Sequence, residues 1–455
     1  MRKSIQKLTQ MAAVGMSVLV IGGCANNTAS TTATTAESAA ETTVAESESA
    51  KAEETTETAK EEKAETKSEA TDSAWLKEYY GVEISKDGPD ATAFNEALKT
   101  IAGDEAPAVE GDLNLLSAVK AAVGAADYEE LALSYPADKV KERLAVHGIK
   151  DDVDEEYAAY LACALDTDLI SDEEGQSAVK KEAMTQEQAE SLLMRIIDVN
   201  GDGRNYLGMA SDPDIYGKID QMWNSFIIFD DDKLAEIGKN SVQQQVTTGY
   251  GIKSAAYDAR FLSDLTLQYG HSDIKHAHQL IGLLNSENID AKVQLEPKIS
   301  IYQYLLEWGP IPEATPTYEV KQFDDDLYLV YAVEYDMKLE FNTTADLKRF
   351  NDVINAYAKK NEGNEEAKGL IYASWWQPLY STTRTDMSSD DYHQIYDCVV
   401  SDGIYSIHPF ALPENKDATV EKFKEFAGDS GVEVTPQERY VNTAFYNYLK
   451  GDDYQ

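Results

Sequence analysis

Residues 327–341, LYLVYAVEYDMKLEF, carry the clearest structural pattern in the sequence. Every odd position from Leu327 to Phe341 is apolar or aromatic, and the even positions become charged from Glu334 onward. Because successive side chains of a strand point to opposite faces, this alternation predicts a long strand with one buried face. The acidic run 324–326 before it predicts a turn, with residues 318–323 as the hairpin partner.

The residues after this strand predict a mixed domain. Thr343 and Asp346 form the start signal of a helix. The apolar positions of that helix share one face, namely Leu347, Phe350, Ile354 and Tyr357. Strands followed by helices indicate the α+β class. We therefore expect residues 208–455 to form an α+β domain.

The preceding region, residues 75–207, reads as helical. Apolar residues recur at helical spacing in 115–123 and again in 189–197. Thr185 and Gln188 have the spacing of a capping box, in which each side chain bonds to a free backbone N–H at the helix start. The sequence thus predicts an all-α domain ahead of the α+β domain.

This helical region resembles an S-layer homology module. The resemblance lies in the apolar helix 157–165, a short Leu-Ile segment and a closing helix that opens with Thr185, Gln186, Glu187 and Gln188. It implies that Thr185, Gln186 and Glu187 contact a cell-wall polymer. The family's Arg is Gln186 here, which removes a charge-assisted contact. A purely architectural helical domain is the alternative.

The N-terminus has the features of a secretory signal peptide. Arg2, Lys3 and Lys7 precede the apolar stretch 11–21. This stretch is shorter than the roughly 20 residues that span a bilayer. We expect residues 1–23 to be removed, and nothing later in the chain predicts a transmembrane helix.

The end of this stretch, Ile21, Gly22, Gly23 and Cys24, resembles the lipobox of bacterial lipoproteins. The resemblance implies a diacylglycerol on the Cys24 thiol and a protein anchored to the extracytoplasmic face of the cell membrane. Several acyl chains make such an anchor durable. The alternative is an ordinary secretory signal with a chance cysteine.

Residues 25–74 consist almost entirely of Ala, Thr, Glu, Ser and Lys, without an aromatic residue, Gly or Pro. Such a segment cannot bury enough apolar surface to offset its conformational entropy. Residues 24–74 are therefore expected to form a disordered tether, with a partly helical charged arm as the alternative. Trp75 marks the expected start of folded structure.

The formal net charge of −42 limits the partners of the chain. Nucleic acid is excluded as a partner, because phosphate binding requires a basic surface. The membrane, through the lipid, and a cell-wall polymer or another envelope protein remain. Of three cysteines, Cys24 is assigned to the lipid. Cys163 and Cys398 are predicted to be buried thiols, with one long-range disulfide as the alternative.

Asp198, Asn200 and Asp202 match the first half of a calcium-binding EF-hand loop, with Gly203 at its sixth position. The second half does not match, because Met209 stands where the loop requires a bidentate carboxylate. Asn-Gly and Asp-Gly are also common turn dipeptides. The prediction is a turn without metal, and a weak calcium site is the alternative.

Residues 269–293 resemble the core of transglutaminase-like cysteine peptidases, a helix followed by a strand. The family's nucleophilic cysteine is replaced here by Asp273, and that mechanism needs a thiolate beside an imidazole. The resemblance therefore implies a fold without its catalytic residues. A metal shared by His276 and His278 is not expected, since two residues on a helix point in different directions.

Two short segments are candidates for a ligand surface. His271 and Asp273 stand at the start of the predicted helix, and Trp375 and Trp376 lie in the aromatic segment 372–380. Flat aromatic rings beside polar groups suit sugar or peptide ligands. The alternative is a strand that buries alternate aromatic residues in a core.

Two functional classes are compatible with these patterns. The first is a non-catalytic cell-envelope lipoprotein with a binding or structural role at the bacterial surface. The second is a surface hydrolase that acts on cell-wall peptide or glycan. The missing cysteine favours the first class. The many carboxylates keep the second open, because no single pair stands out as acid and base.

Overall fold

The chain has two structurally different parts. The first is helical as far as Val199, and the second contains a large antiparallel sheet. The structure, a computed structural model, describes residues 69–357, 366, 379–381, 383–384 and 392–452. The signal peptide, Cys24, the predicted tether as far as Ser68, Trp375 and Trp376 lie outside the described residues. Within those residues, no helix is long and apolar enough to cross a membrane.

The first part of the fold is built from helices. They are α1 (Asp72–Tyr80), α2 (Ala91–Ala102), α3 (Leu115–Ala125), α4 (Glu129–Leu133), α5 (Ala137–Val146), α6 (Glu155–Asp166), α7 (Asp172–Ala178) and α8 (Gln186–Val199). Helix α1 begins before Trp75 because the hydroxyl of Thr71 accepts a hydrogen bond from the N–H of Ala74, at 3.2 Å. The predicted capping box of α8 is confirmed, since Thr185 and Gln188 each accept the other's backbone N–H.

These helices bury a common apolar core. Its largest fully buried side chains include Trp75, Phe94 and Leu161. Two residues from the later part of the chain, Leu262 and Leu265, belong to the same core. The helical part therefore packs directly against the segment that carries those two leucines.

The second part mixes strands and helices, which confirms the predicted α+β class. Its strands are β1 (Gly208–Met209), β2 (Gly249–Ser254), β3 (Thr266–His271), β4 (Ala291–Gln303), β5 (Tyr318–Gln322), β6 (Tyr328–Phe341), β7 (Leu379–Ser381), β8 (Tyr392–Ser401), β9 (Tyr405–Ile407), β10 (Phe410–Ala411) and β11 (Glu433–Asn442). Its helices are α9 (Ile215–Ser225), α10 (Asp232–Gln243), α11 (Ile274–Ser286), α12 (Thr344–Tyr357), α13 (Lys416–Ala427) and α14 (Thr443–Lys450).

The strands form one antiparallel sheet that curls until it closes on itself. Strands β4, β2, β9, β8, β11, β7, β3 and β6 pair in that order, and β6 pairs again with β4. The pairing of β4 with β6 is the longest, from Ala291 opposite Phe341 to Gln303 opposite Leu329. Strand β5 pairs with β6 as the predicted hairpin. Its turn is closed by the N–H of Phe323, which donates to Leu327 O at 2.9 Å.

The two faces of β6 differ in chemistry, but both are buried. The odd positions pack under helices α9 to α13, as the alternation predicts. The expectation of a single buried face is wrong, because Asp336 and Glu340 on the even face are only 2% and 0% exposed. Since the helices cover the apolar face, the charged face is the one that the curled sheet encloses.

The C-terminal helix α14 covers part of the enclosed face. Phe445 and Tyr446 of α14 pack with Ile395 and Val441 of the paired strands β8 and β11. Residues directly opposite each other in an antiparallel pair point to the same face. Following these pairs around the sheet places Ile395 on the same face as Asp336. One side of the enclosed face is thus apolar and the other side is charged.

The segment between β2 and β3 joins the sheet to the helices. The indole Nε1 of Trp75 donates to Arg260 O at 2.7 Å, and the hydroxyl of Tyr79 donates to Phe261 O at 2.8 Å. Trp75 is fully buried. Helix α1 is therefore fixed to the segment that crosses one end of the sheet.

A close approach of Gly238 in α10 to Tyr250 in β2 generates a stability prediction. A Cβ at Gly238 would overlap the Tyr250 ring, which is itself buried. We expect Gly238→Ala to lower the free energy of unfolding by about 1 to 3 kcal/mol through overpacking.

Gly282 in α11 is the matched control, because a Cβ there meets only Tyr216 Oη at 3.6 Å. Gly282→Ala should raise stability by about 0.5 to 1 kcal/mol, as expected for alanine in a helix. Urea unfolding followed by circular dichroism measures both changes. Equal effects of the two substitutions would contradict the packing described for Gly238.

Candidate functional site

The enclosed face carries a cluster of charged side chains from three neighbouring strands. We call it the charged face, and it consists of Lys253 of β2, Lys292, Glu296 and Lys298 of β4, and Asp336, Lys338 and Glu340 of β6. All of the β4 and β6 members are even-numbered and therefore share one face. The register brings opposite charges together, with Lys292 opposite Glu340.

Short ion pairs connect these side chains. The Nζ atoms of Lys253 and Lys298 lie 2.5 Å and 2.7 Å from the carboxylate oxygens of Asp336. The Nζ of Lys338 lies 2.7 Å from Glu296. The carboxylate side chains are at most 4% exposed, whereas the lysine side chains are 15–19% exposed. The acids therefore form the floor of the charged face, and the lysine side chains are the more exposed members of it.

The ion pairs determine the protonation states on this face. Burial alone would raise the pKa of Asp336, but the ammonium groups of Lys253 and Lys298 outweigh it and hold that pKa well below its usual range. Burial would lower the pKa of Lys338, but Glu296 and Asp258 reverse this and raise it. Asp336 and Lys338 are therefore charged at neutral pH.

Backbone groups from the segment between β2 and β3 complete the floor. The N–H of Ala259 donates to Glu296 at 2.9 Å, and the N–H of Leu262 donates to Glu340 at 2.7 Å. Arg204, just after the last helix of the helical part, lies 3.2 Å from Glu340. Each of the two glutamates thus has several donors, as buried carboxylates require.

A chain of hydrogen bonds lies beside the charged face and joins Asp397 of β8, Ser406 of β9 and His408, the first residue after β9. The Oγ of Ser406 is 2.9 Å from Nε2 of His408, and Nδ1 of His408 is 2.8 Å from Oδ2 of Asp397. Asp397 is 5% exposed. Burial would raise its pKa, but His408 outweighs burial and lowers it. The carboxylate is therefore ionised.

These three residues were not predicted from the sequence. Ser406 lies on β9 and His408 is the first residue after that strand, so the two stand two residues apart in the sequence. That spacing was the available signal. Asp397 comes from a neighbouring strand, and only the pairing of the strands brings it to His408. Register also places Lys253 of the charged face directly opposite Ser406.

The residues of the S-layer homology resemblance lie at the start of α8. The hydroxyl of Thr185 is used in the helix cap. The amide of Gln186 donates to Glu190 at 2.8 Å and to Ser73 at 3.2 Å, so it links α8 to α1. Glu187 is exposed. The structure brings these residues together, with two of the three side chains engaged inside the protein.

The loop that resembles half an EF-hand contains an arginine. The guanidinium of Arg260 donates to Gly201 O at 2.9 Å and to Gly203 O at 3.3 Å, and it lies 3.5 Å from Asp202. Asn200 is turned away and donates to a carbonyl of α3. In the described part of the chain, no group of three or more acidic, His or Cys residues has metal-binding geometry. A guanidinium therefore lies in the loop, and a calcium site there stays a prediction.

His271 lies in the core, and its part in a ligand surface stays a prediction. It is 1% exposed, because the last residue of β3 points towards the helix-covered face. Burial lowers its pKa to about 3 and keeps the ring neutral. Asp273 caps helix α11 through the N–H of Lys275, at 2.8 Å. These two neighbours therefore lie in different environments.

The remaining polar candidates also have structural roles. His278 is half-buried, 2.8 Å from Asp220. Cys163 and Cys398 are free, buried thiols, as predicted. Burial raises the pKa of Cys163 to about 11 and that of Cys398 to about 12. Both thiols are protonated at neutral pH and are poor nucleophiles.

Comparisons with known proteins return no match: no protein family, curated protein or solved structure resembles the chain significantly. A function for the chain therefore has to be inferred from the geometry of the charged face and of Ser406, His408 and Asp397.

The ion pairs of Asp336 generate a second stability prediction. Asp336→Asn leaves Lys253 and Lys298 without their shared carboxylate, so we expect the free energy of unfolding at neutral pH to fall by about 3 to 5 kcal/mol. Asp325→Asn, in the exposed turn before β6, is the matched control and should change it by less than about 0.5 kcal/mol.

The ion pairs of Asp336 also predict that the free energy of unfolding depends on pH. The pKa of Asp336 is lower in the folded chain than the value of about 3.9 expected when unfolded. Its stabilising contribution is therefore present above that value and is lost as the pH falls through and below it. Denaturant titrations between neutral and acid pH should show a steeper loss for the parent chain than for Asp336→Asn. Parallel curves would contradict the role given to Asp336.

Proposed function

We propose that the chain is a lipoprotein, anchored through Cys24 to the extracytoplasmic face of a bacterial membrane, whose charged face binds a polar, hydroxyl-rich ligand such as an envelope glycan. The lipobox-like residues before Cys24 support the anchor. The observation that supports binding is the row of partly exposed lysine side chains beside buried acids, in a chain whose net charge is −42.

The chemistry of the charged face suits hydroxyl groups. An ammonium group has three donors, and Lys298 uses one of them on Asp336. The remaining donors can bond to the oxygen atoms of sugar hydroxyl groups. Because the charged face carries acids as well as lysines, it is a poor site for a strongly anionic ligand.

A binding role is favoured over two kinds of hydrolysis. A glycosidase needs a carboxylic acid with a raised pKa, whereas the pKa of Asp336 on this face is lowered. A thiol mechanism needs a thiolate, and burial raises the pKa of both Cys163 and Cys398.

Two further parts of the proposal concern partners and activity. The helical part is proposed as an S-layer homology-like module, in which exposed Glu187 and the neighbouring Thr185 and Gln186 would meet a wall polymer.

A surface hydrolase is the second candidate function. The hydrogen-bonded chain of Ser406, His408 and Asp397 is the observation that favours it.

Anchoring is tested by Cys24→Ser in the full chain. Without the thiol no lipid is attached, so we expect the protein to move from the membrane fraction to the soluble extracytoplasmic fraction. Gly23→Ala is the control, because a small residue before the cysteine is kept. Immunoblots of the two fractions measure the outcome, and a Cys24→Ser protein that stays with the membrane would refute a lipid-only anchor.

Ligand binding is tested with the released Cys24→Ser chain and purified cell wall. We expect the chain to sediment with the wall, and Lys298→Met to reduce the sedimented fraction at least about tenfold, since one lost charged hydrogen bond costs about 1.5 to 3 kcal/mol. Lys86→Met, at an exposed position, should not change it. A chain that stays in the supernatant, or sediments equally in both variants, would exclude a wall ligand on the charged face.

A further inference from the structure

We propose that Ser406 is the nucleophile of an acyl-ester hydrolase, with His408 as its general base and Asp397 as the residue that orients the imidazole. This role deepens the second candidate function. It rests on the proposed function for its ligand class, a hydroxyl-rich molecule. The substrate would be an O-acyl ester of such a molecule.

The order of contacts is that of serine hydrolases: a serine hydroxyl on one imidazole nitrogen and a buried carboxylate on the other. The distances of 2.9 Å and 2.8 Å are both within hydrogen-bonding range. An ionised carboxylate only accepts hydrogen bonds, so Nδ1 of His408 donates to Asp397. Nε2 is then left with a lone pair that accepts the hydroxyl proton of Ser406.

The backbone holds these groups in place. Asp397 and Ser406 lie on strands β8 and β9, whose connecting turn is closed by Asp402 through the N–H groups of Ile404 and Tyr405, at 2.9 Å and 2.7 Å. The N–H of His408 donates to Gly251 O of β2 at 3.1 Å. Asp397 and Ser406 therefore lie on strands that are paired with their neighbours, and His408 is bonded to β2. These contacts limit the movement of the three groups.

The exposure of the three side chains suits their proposed roles. Ser406 and His408 are half-buried and reachable, whereas Asp397 is buried. The Oδ1 of Asp397 is buried and receives no hydrogen bond in the described part of the chain. Buried polar atoms without a partner are uncommon. Here the unpaired oxygen leaves negative charge beside the imidazole, which favours its protonated form during reaction.

A positive charge is available for the developing oxyanion. Lys253 lies directly opposite Ser406 in the pairing of β2 with β9, so the two side chains share a face with their Cβ atoms about 5 Å apart. The ammonium of Lys253 is held by Asp336, at 2.5 Å. A preorganised cation of this kind stabilises the negative oxygen of a tetrahedral intermediate.

These positions define the reaction. The Oγ of Ser406 attacks the ester carbonyl carbon while its proton moves to Nε2 of His408. The carbon–oxygen bond to the alcohol then breaks, and the alcohol leaves with that proton. Water attacks the acyl group on Ser406, again through His408, which returns a proton to Oγ. The products are the free alcohol and a carboxylic acid.

The test uses a fluorophosphonate probe, which reacts with activated serines, on the full chain in membranes. We expect labelling at Ser406, located by mass spectrometry of the labelled peptide. Ser406→Ala should abolish the labelling. His408→Ala should slow it by at least about 10³-fold, and Asp397→Asn by roughly 10²- to 10⁴-fold.

Ser401→Ala is the matched control. Ser401 lies opposite Ser406 on the neighbouring strand β8 and is equally half-buried, but its hydroxyl donates to Tyr405 O. This variant should be labelled like the parent chain. Circular dichroism melting curves identify any variant that does not fold, and the pair Ser406→Ala and Ser401→Ala then decides the outcome. No labelling of the folded parent chain, or labelling that persists in a folded His408→Ala, would overturn the proposal.

Hydrolysis of 4-nitrophenyl acetate gives a second readout, which should be lost in Ser406→Ala and kept in Ser401→Ala. Failure of this inference can be told apart from failure of the proposed function. If Ser406 is not labelled but the chain sediments with cell wall, binding stands without the activity. If Ser406 is labelled but the chain does not sediment, the serine is reactive and the ligand class is wrong.

Discussion

The balance of charge on the enclosed face of the sheet is the constraint on which the rest of the structure depends. Side chains must fill the inner side of a sheet that closes on itself, and here lysines and acidic residues lie on that side. A buried charge without a partner costs several kcal/mol. A shift of one residue between β4 and β6 would turn Asp336 and Glu340 towards the helix-covered core. The ion pairs therefore fix the register of the two longest strands.

The same balance governs the chemistry of the site. Because Asp336 is paired with two ammonium groups, it stays ionised and has no proton to donate at neutral pH. Asp397 is ionised as well, but its partner is a histidine, which exchanges protons readily. The proposed reaction therefore uses only Ser406 and His408 for proton transfer. In that reaction the lysines of the charged face would supply positive charge and would not transfer protons.

Patterns of residues close in sequence predicted the helices and strands, whereas the pairing of the strands into a closed sheet was not predicted. The alternation in 327–341, the hairpin with 318–323 and the cap at Thr185 each depend on residues close in sequence, and all three are present. The burial of Asp336 could not be predicted, because it depends on the closure of the sheet by strands far along the chain. Asp397 and His408 are only 11 residues apart, but their contact depends on the register of β8 with the strands that follow it, which no local pattern shows.

The N-terminal end of the described chain is attached to the longest strand of the sheet. Glu69 pairs with Thr343, just beyond β6, and the N–H of Ala70 donates to Asn342 O at 2.9 Å. A pulling force from the N-terminal side therefore reaches the end of β6 first. Strand β6 is paired along both edges, so such a load is spread over two ladders of hydrogen bonds. The described N-terminal end is thus joined to the sheet at the end of β6 and, through α1, to the segment between β2 and β3.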